Sequence, residues 1–84
     1  MTVTVTLIGR LGCHLCAVAR EQVLAVRRRE PFDLQELDVD GDPELRAEYG
    51  DQVPVVLLNG NMHSYFEVDQ ETLLRDVVAT KNVE

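Results

Sequence analysis

The chain has 84 residues, of which 45% are hydrophobic and 27% charged, and its formal net charge is −7. This length gives room for one domain, which we expect to span residues 1–84, and the apolar content is that of a globular protein. The acidic balance argues against binding of nucleic acid, which needs a concentrated basic surface, and no segment approaches the roughly 20 apolar residues of a membrane span.

Residues 1–8 lack the basic segment and the continuous apolar stretch of a secretory signal. We therefore expect a cytoplasmic protein, in which the two cysteines of the chain face a reducing environment. In that setting a close pair of cysteines is more typical of redox or metal chemistry than of a structural disulfide.

Strands and helices alternate along the first part of the chain. Threonine alternates with valine or leucine over residues 2–8, which predicts a first strand, and glycines then end it. Apolar residues recur at helical spacing after this point, which predicts a helix from about Cys13 to Arg29. A second strand is predicted over residues 32–39.

The segment Asp42-Pro43-Glu44 predicts the start of a second helix. An acceptor side chain at the N-cap, a proline at the first helical position and an acid in the first turn are all favoured there. This short helix is expected to end at Tyr49-Gly50, with Gly50 in the left-handed conformation beyond the helix.

The last part of the chain predicts a hairpin and a third helix. Runs over residues 55–58 and 62–66 flank Asn59-Gly60, a pair favoured in tight hairpin turns. Asp69 is expected to cap the final helix. The order β-α-β-α-β-β-α predicts an α/β fold with a four-stranded mixed sheet and helices on both faces.

Cys13 and Cys16 form a C-x-x-C motif between the first strand and the first helix, a position typical of redox-active pairs. The spacing places the two sulfurs within disulfide reach across one helical turn. A thiol at a helix N-terminus faces unpaired N–H groups and the positive end of the helix dipole, which favour the thiolate. We therefore predict Cys13 as the nucleophile and Cys16 as the resolving thiol, which attacks the mixed disulfide.

Two other interpretations of the pair stay open: half of a zinc site, or two inert buried thiols. Zinc usually needs four ligands, and we predict no metal site here. His14 lies between the cysteines, and His63 lies far along the chain on a predicted strand, where we expect it to be exposed without a role. His14 directly follows the nucleophile, and because its protonated form would stabilise the thiolate we predict it as a modulating residue.

The G-C-H-L-C segment at residues 12–16, the pair Val53-Pro54 and the pair Asn59-Gly60 follow one another along the chain. In this order they resemble the motifs of the glutaredoxins, within the thioredoxin superfamily. The resemblance covers essentially the whole chain and implies a thioredoxin-like fold of the glutaredoxin type. The pattern is similar to that of the divergent glutaredoxin-like proteins.

The resemblance implies roles for three residues outside the cysteine pair. The proline that matches Pro54 is cis in the family and lies beside the cysteines, so the backbone of Val53 is expected to pair with substrate like an added strand. Arg10 matches a basic residue that contacts a carboxylate of glutathione and favours the thiolate. We therefore predict Arg10, Val53 and Pro54 as substrate-binding residues.

Two departures from the family concern glutathione. Glutaredoxins commonly have Pro-Tyr between the cysteines, where this chain has His14-Leu15. They also usually carry Gly-Gly after the last strand, where this chain has Ser64-Tyr65 and further side chains through residue 68. Side chains there would keep the backbone away from the ligand. The resemblance thus implies glutathione as a co-substrate, whereas these departures argue against its binding.

The motifs together predict a thiol–disulfide oxidoreductase that uses the Cys13–Cys16 couple on a protein or glutathione disulfide. We expect a monomer without a tightly bound cofactor, and the sequence does not identify the reductase partner. One alternative is an iron–sulfur cluster or metal-binding module, although cluster-type members usually have serine in place of the second cysteine. The other alternative is a catalytically silent adaptor with a thioredoxin fold.

Overall fold

The computed structural model describes residues 3–82. The strands are β1 (Thr4–Gly9), β2 (Asp33–Asp38), β3 (Val55–Leu58) and β4 (Asn61–Tyr65), and the helices are α1 (His14–Arg29), α2 (Pro43–Tyr49) and α3 (Gln70–Asn82). This order confirms the predicted one, and residue 2 of the predicted first strand lies outside the described residues. In the described part of the chain, no helix is both long and apolar enough to cross a membrane.

The four strands form one mixed sheet in the order β2-β1-β3-β4. β1 pairs in parallel with β2, because the crossover through α1 returns the chain in the same direction, and it pairs antiparallel with β3. β3 and β4 form an antiparallel hairpin. Its turn residues Asn59 (φ 49°) and Gly60 (φ 85°) are both left-handed, as the predicted tight turn requires.

The alternation of side chains along β1 divides the core between the two faces of the sheet. Val5 and Leu7 lie on one face, in a cluster with the buried residues of α1 and α3. Ile8 lies on the other face, where Leu45 and Tyr49 of α2 pack against its cluster. The predicted α/β arrangement, with helices on both faces of a mixed sheet, is therefore confirmed.

Gly50 does not adopt the predicted left-handed conformation. It caps α2 with φ −55° and ψ −29°, which are right-handed helical values that any residue adopts. Space explains the glycine instead, because a Cβ at this position would lie 2.5 Å from the carbonyl oxygen of Arg46. Strand β2 is also shorter than predicted, since Phe32 precedes it and Val39 begins a short 3-10 helix, Val39–Gly41.

β4 contains a bulge at His63. The pairing of β3 with β4 shifts between Val56 and Leu57, which leaves His63 as the extra residue on β4. Its side chain is only 11% exposed, and its Nε2 lies 2.7 Å from Oδ2 of Asp76 on α3. The expectation that His63 is exposed and without a role is therefore wrong, because this side chain links the hairpin to α3.

Candidate active site

The cysteine pair lies at the edge of the sheet where β1 and β2 end. Gly9, the last residue of β1, pairs with Asp38 at the end of β2. Gly12, with φ 77°, then turns the loop in a conformation that glycine adopts without strain, and it delivers Cys13 to the N-cap of α1. Cys16 packs onto Gly9. A Cβ added at Gly9 would lie 3.3 Å from the Cβ of Cys16 and 3.4 Å from the Sγ of Cys16. The missing side chain of Gly9 thus makes the space that Cys16 occupies.

Cys13 caps α1 with its own sulfur. The Sγ accepts a hydrogen bond from the backbone N–H of Cys16 at 3.3 Å. The pKa of Cys13 is lowered, above all by a hydrogen bond from the Cys16 thiol, and further by the backbone N–H groups of Cys16 and Leu15 and by the charge of Arg10. Because the Cys13 side chain is also partly exposed, its thiolate is both stabilised and accessible.

Cys16 has the opposite environment. It is 8% exposed, and burial is the main cause that raises its pKa, followed by the hydrogen bond that it shares with Cys13. Both thiols are free, so the pair is in the dithiol form. One thiol is thus exposed with a lowered pKa, and the other is buried with a raised pKa.

Arg10 lies just before the cysteine loop, and a carboxylate engages its guanidinium. Its Nε lies 2.7 Å from Oδ2 of Asp40 and its Nη2 lies 3.2 Å from Oδ1, a bidentate pair. These hydrogen bonds raise the pKa of Arg10 and lower that of Asp40. The sequence predicted that Arg10 lies near Cys13, but it carried no signal for Asp40, which the 3-10 helix after β2 brings alongside.

A groove of about 500 Å³ runs beside the cysteine pair, lined by the ends of β1 and β2 and by the first turns of α1. Arg10 and Arg20 both border it. Arg20 is also paired, since its Nε lies 2.6 Å from Oε1 of Glu36. Next to Cys13 in the chain, Leu11 and Leu15 are 87% and 51% exposed, so apolar side chains flank the nucleophile.

Pro54 lies at the same sheet edge as the cysteine pair, on the β3 side of β1. The antiparallel register of β1 and β3 pairs Ile8 with Val55. Continuing this register by one residue places Pro54 alongside Gly9. The Val53–Pro54 peptide bond is cis, with Pro54 buried and Val53 half-buried. Substrate binding by Arg10, Val53 and Pro54 stays a prediction.

Phe66 adopts a strained backbone conformation next to Pro54. Its N–H donates to the Pro54 carbonyl at 2.8 Å, and the N–H of Glu67 donates to the Tyr65 carbonyl at 2.8 Å. The second bond closes a three-residue γ-turn around Phe66 at φ 66°, a rare and strained geometry for a residue with a side chain. The Tyr65 and Phe66 rings lie edge to face with centroids 5.0 Å apart, and both are substantially exposed. The sequence predicted side chains here, but it gave no sign that Phe66 keeps a glycine-type backbone.

His14 is the first residue of α1 and is exposed. Its effect on Cys13 stays a prediction. Within residues 3–82, no group of three or more histidine, cysteine or acidic side chains is arranged to hold a metal ion.

A C-x-x-C pair at the start of α1, on a four-stranded mixed sheet covered on both faces, defines a protein of the thioredoxin fold. A mutant thioredoxin from Halobacterium salinarum superposes with a TM-score of 0.70, covering 93% of this chain and 74% of its own. At 19% identity that likeness shows the fold alone. The model of the family described as "Glutaredoxin-like domain (DUF836)" matches residues 4–78, and the chain belongs to this family.

Two further proteins are similar to this chain over most of its length. Uncharacterized protein Rv0508 of Mycobacterium tuberculosis is 45% identical over 78 residues, which cover 87% of this chain and 80% of the relative. The X-ray structure of protein XcR50 from X. campestris is 28% identical with a TM-score of 0.74, covering 89% of this chain and 96% of that one. The predicted resemblance to glutaredoxin-like proteins of the thioredoxin superfamily is therefore confirmed.

Proposed function

We propose that this protein is a thiol–disulfide oxidoreductase that cycles between the dithiol and the disulfide of Cys13 and Cys16. The asymmetry of the two thiols supports the proposal most directly. Cys13 is accessible, and hydrogen bonds at the start of α1 lower its pKa, whereas burial raises the pKa of Cys16. A nucleophile and a resolving thiol need these two different environments. The glutaredoxin-like family and the thioredoxin fold are consistent with this chemistry.

In the first step the Cys13 thiolate attacks one sulfur of a substrate disulfide. A mixed disulfide forms, the substrate S–S bond breaks, and the departing sulfur leaves as a thiolate that takes a proton from solvent. The Cys16 thiol then loses its proton and attacks the Cys13 sulfur, which closes the Cys13–Cys16 disulfide and releases the second substrate thiolate. Two electrons have passed from the protein to the substrate, and an external thiol or dithiol returns them.

The dithiol structure also suggests why Cys16 attacks second. Its hydrogen bond to Cys13 is one of the causes that raise the pKa of Cys16. Once the Cys13 sulfur is bound in a mixed disulfide it carries no thiolate charge, so this cause is removed and Cys16 loses its proton more readily.

The redox potential of the pair tests the proposal. The protein is equilibrated with defined ratios of reduced to oxidised dithiothreitol or glutathione, and free thiols are counted by mass-shifting alkylation, because the chain has no tryptophan to report the change. We expect a reversible two-electron midpoint between about −170 and −280 mV, the range of working oxidoreductases. No disulfide at any ratio, or one that only a strong reductant opens, would refute the proposal and favour the metal-binding or adaptor alternatives.

Single cysteine variants test the order of attack. With a disulfide peptide as substrate, Cys16→Ser should accumulate a mixed disulfide on Cys13, which intact-protein mass spectrometry detects. Cys13→Ser should form none at the same pH. A mixed disulfide on Cys16 in the Cys13→Ser variant, at the rate seen for Cys13, would contradict the assigned roles.

A further inference from the structure

Two arginines, Arg10 and Arg20, border the groove beside the cysteine pair, and each is paired with a carboxylate. Arg10 is the closer in sequence to Cys13, and its charge is among the causes that lower the pKa of that thiol. An anionic substrate that reacts at Cys13 would place a carboxylate on a guanidinium here, because arginine binds carboxylates bidentately and with a charge-assisted hydrogen bond.

Asp40 already occupies one of the two bidentate faces of Arg10, the Nε–Nη2 side, and its carboxylate neutralises the guanidinium. The two hydrogen bonds, at 2.7 Å and 3.2 Å, use the Nε and Nη2 donors that form one fork of the guanidinium. A substrate carboxylate would therefore have to displace Asp40 before it could bind in the same mode.

Asp40 has further partners that hold it beside Arg10. The Nε of Arg46 lies 3.3 Å from Oδ1 of Asp40, and Nη2 of Arg46 donates to the Asp40 carbonyl at 3.2 Å. From the other side, the backbone N–H of Asp40 donates to the Asp38 side chain at 2.9 Å. The Arg10–Asp40 pair is thus held by contacts to the 3-10 helix and to α2.

We propose that Asp40 determines substrate specificity by withholding the charge of Arg10 from small anionic disulfides, so that the site selects uncharged polypeptide disulfides. This inference rests on the proposed oxidoreductase function. The carboxylate of Asp38, which borders the groove, repels an anion further, whereas the exposed Leu11 and Leu15, each two residues from Cys13 in the chain, favour an apolar polypeptide segment.

Two disulfides of opposite chemistry test the inference: glutathione disulfide, which is anionic, and a disulfide peptide without charged side chains and with blocked termini. Pre-reduced protein is mixed with each, and the second-order rate constant of its oxidation is followed by acid quench and alkylation. The protein dithiol is the only reductant, so each reaction yields one protein disulfide and two substrate thiols. The quantity compared is the ratio of the two rate constants, in which a change in the reactivity of Cys13 itself cancels.

In the wild type we expect the peptide to react faster than glutathione disulfide. Asp40→Ala should shift the ratio toward glutathione disulfide by about tenfold, the effect of one charge-assisted hydrogen bond to a freed Arg10. Asp40→Asn, which keeps the size of the side chain, should shift it in the same direction by less. Far-ultraviolet circular dichroism shows in each case that the variant is folded.

Two controls separate this effect from a general change in charge. Glu71→Ala also removes a carboxylate from an arginine pair, Arg29 Nη1–Glu71 Oε1 at 3.0 Å, but far from the groove, and it should change the ratio less than about twofold. The double variant with Arg10→Gln and Asp40→Ala should return to the ratio of the wild type.

The inference is overturned if Asp40→Ala and Glu71→Ala change the ratio equally, or if wild-type protein reacts with glutathione disulfide as fast as with the peptide. It is also overturned if the double variant with Arg10→Gln and Asp40→Ala keeps the ratio of rate constants that Asp40→Ala alone produces. Absence of reaction with either disulfide would instead refute the proposed oxidoreductase function, and the specificity inference with it.

Discussion

The strained backbone at Phe66 can be measured by exchanging its side chain for alanine and for glycine. Both variants lose the ring and its contact with Tyr65, so the difference between them reports only on the backbone. A left-handed conformation costs a residue with a Cβ about 1–2 kcal/mol, while glycine at an ordinary position is less stable than alanine by about 0.5–1 kcal/mol. At φ 66° the first effect exceeds the second, so Phe66→Gly should be more stable than Phe66→Ala by about 0.5–1 kcal/mol.

Tyr65 provides the matched control, because it lies one residue earlier and has no left-handed backbone. Tyr65→Gly should be less stable than Tyr65→Ala by about 0.5–1 kcal/mol, the usual order. The four free energies of unfolding are measured by urea denaturation followed by far-ultraviolet circular dichroism, and 1 kcal/mol corresponds to about 4–8 °C in Tm for a chain of this size. If alanine were more stable than glycine at position 66 as well, the backbone there would not be strained.

Two further predictions follow from the pKa shifts. Cys16→Ala should raise the pKa of Cys13, because it removes the hydrogen bond that lowers this pKa most. Cys16→Ser keeps a hydrogen-bond donor and should raise the pKa of Cys13 less. The pH dependence of alkylation by iodoacetamide measures the pKa of Cys13 in both variants. The pKa of Asp76 is lowered, first by its hydrogen bond with His63, so its contribution to stability is present above the unfolded pKa near 4 and is lost as pH falls through the folded pKa. Asp76→Asn should therefore lower the free energy of unfolding by about 1 kcal/mol at pH 7, as measured by urea denaturation. The difference between the wild type and the variant should vanish toward pH 2. A difference that does not depend on pH would contradict the stabilising role of the Asp76 carboxylate.

Most of the fold could be predicted because its signals are local. Period-two alternation specifies β1, the Asp42-Pro43 pair starts α2, and the Asn59-Gly60 pair makes the hairpin turn. The position of Cys13 at the N-cap of α1 was also predictable, since the motif directly follows the first strand. Each of these features depends on a few neighbouring residues.

The unpredicted features depend on contacts between distant segments. Asp40 meets Arg10 only because the parallel pairing of β2 with β1 places the 3-10 helix beside the cysteine loop. His63 is half-buried and paired because a bulge shifts the register of β4 and because α3 supplies Asp76. The local sequence pattern predicts neither the register nor the bulge.

The conformation of Gly50 is another feature that the local sequence pattern does not determine. The sequence identified a glycine at the end of α2, but a glycine is used either for a left-handed backbone or for lack of space, and the pattern does not distinguish the two. The structure gives a right-handed backbone and a close carbonyl, so the constraint at Gly50 comes from space.

Two features on opposite sides of the cysteine pair bear on the proposed choice of substrate. On the β2 side, the charge of Arg10 is engaged by Asp40, and on the β4 side, Phe66 carries an exposed ring on a backbone with φ 66°. These two features lie on different elements, and neither contact depends on the other. An exposed aromatic ring and a neutralised guanidinium would both suit an uncharged polypeptide better than a small anion, which agrees with the specificity that we propose.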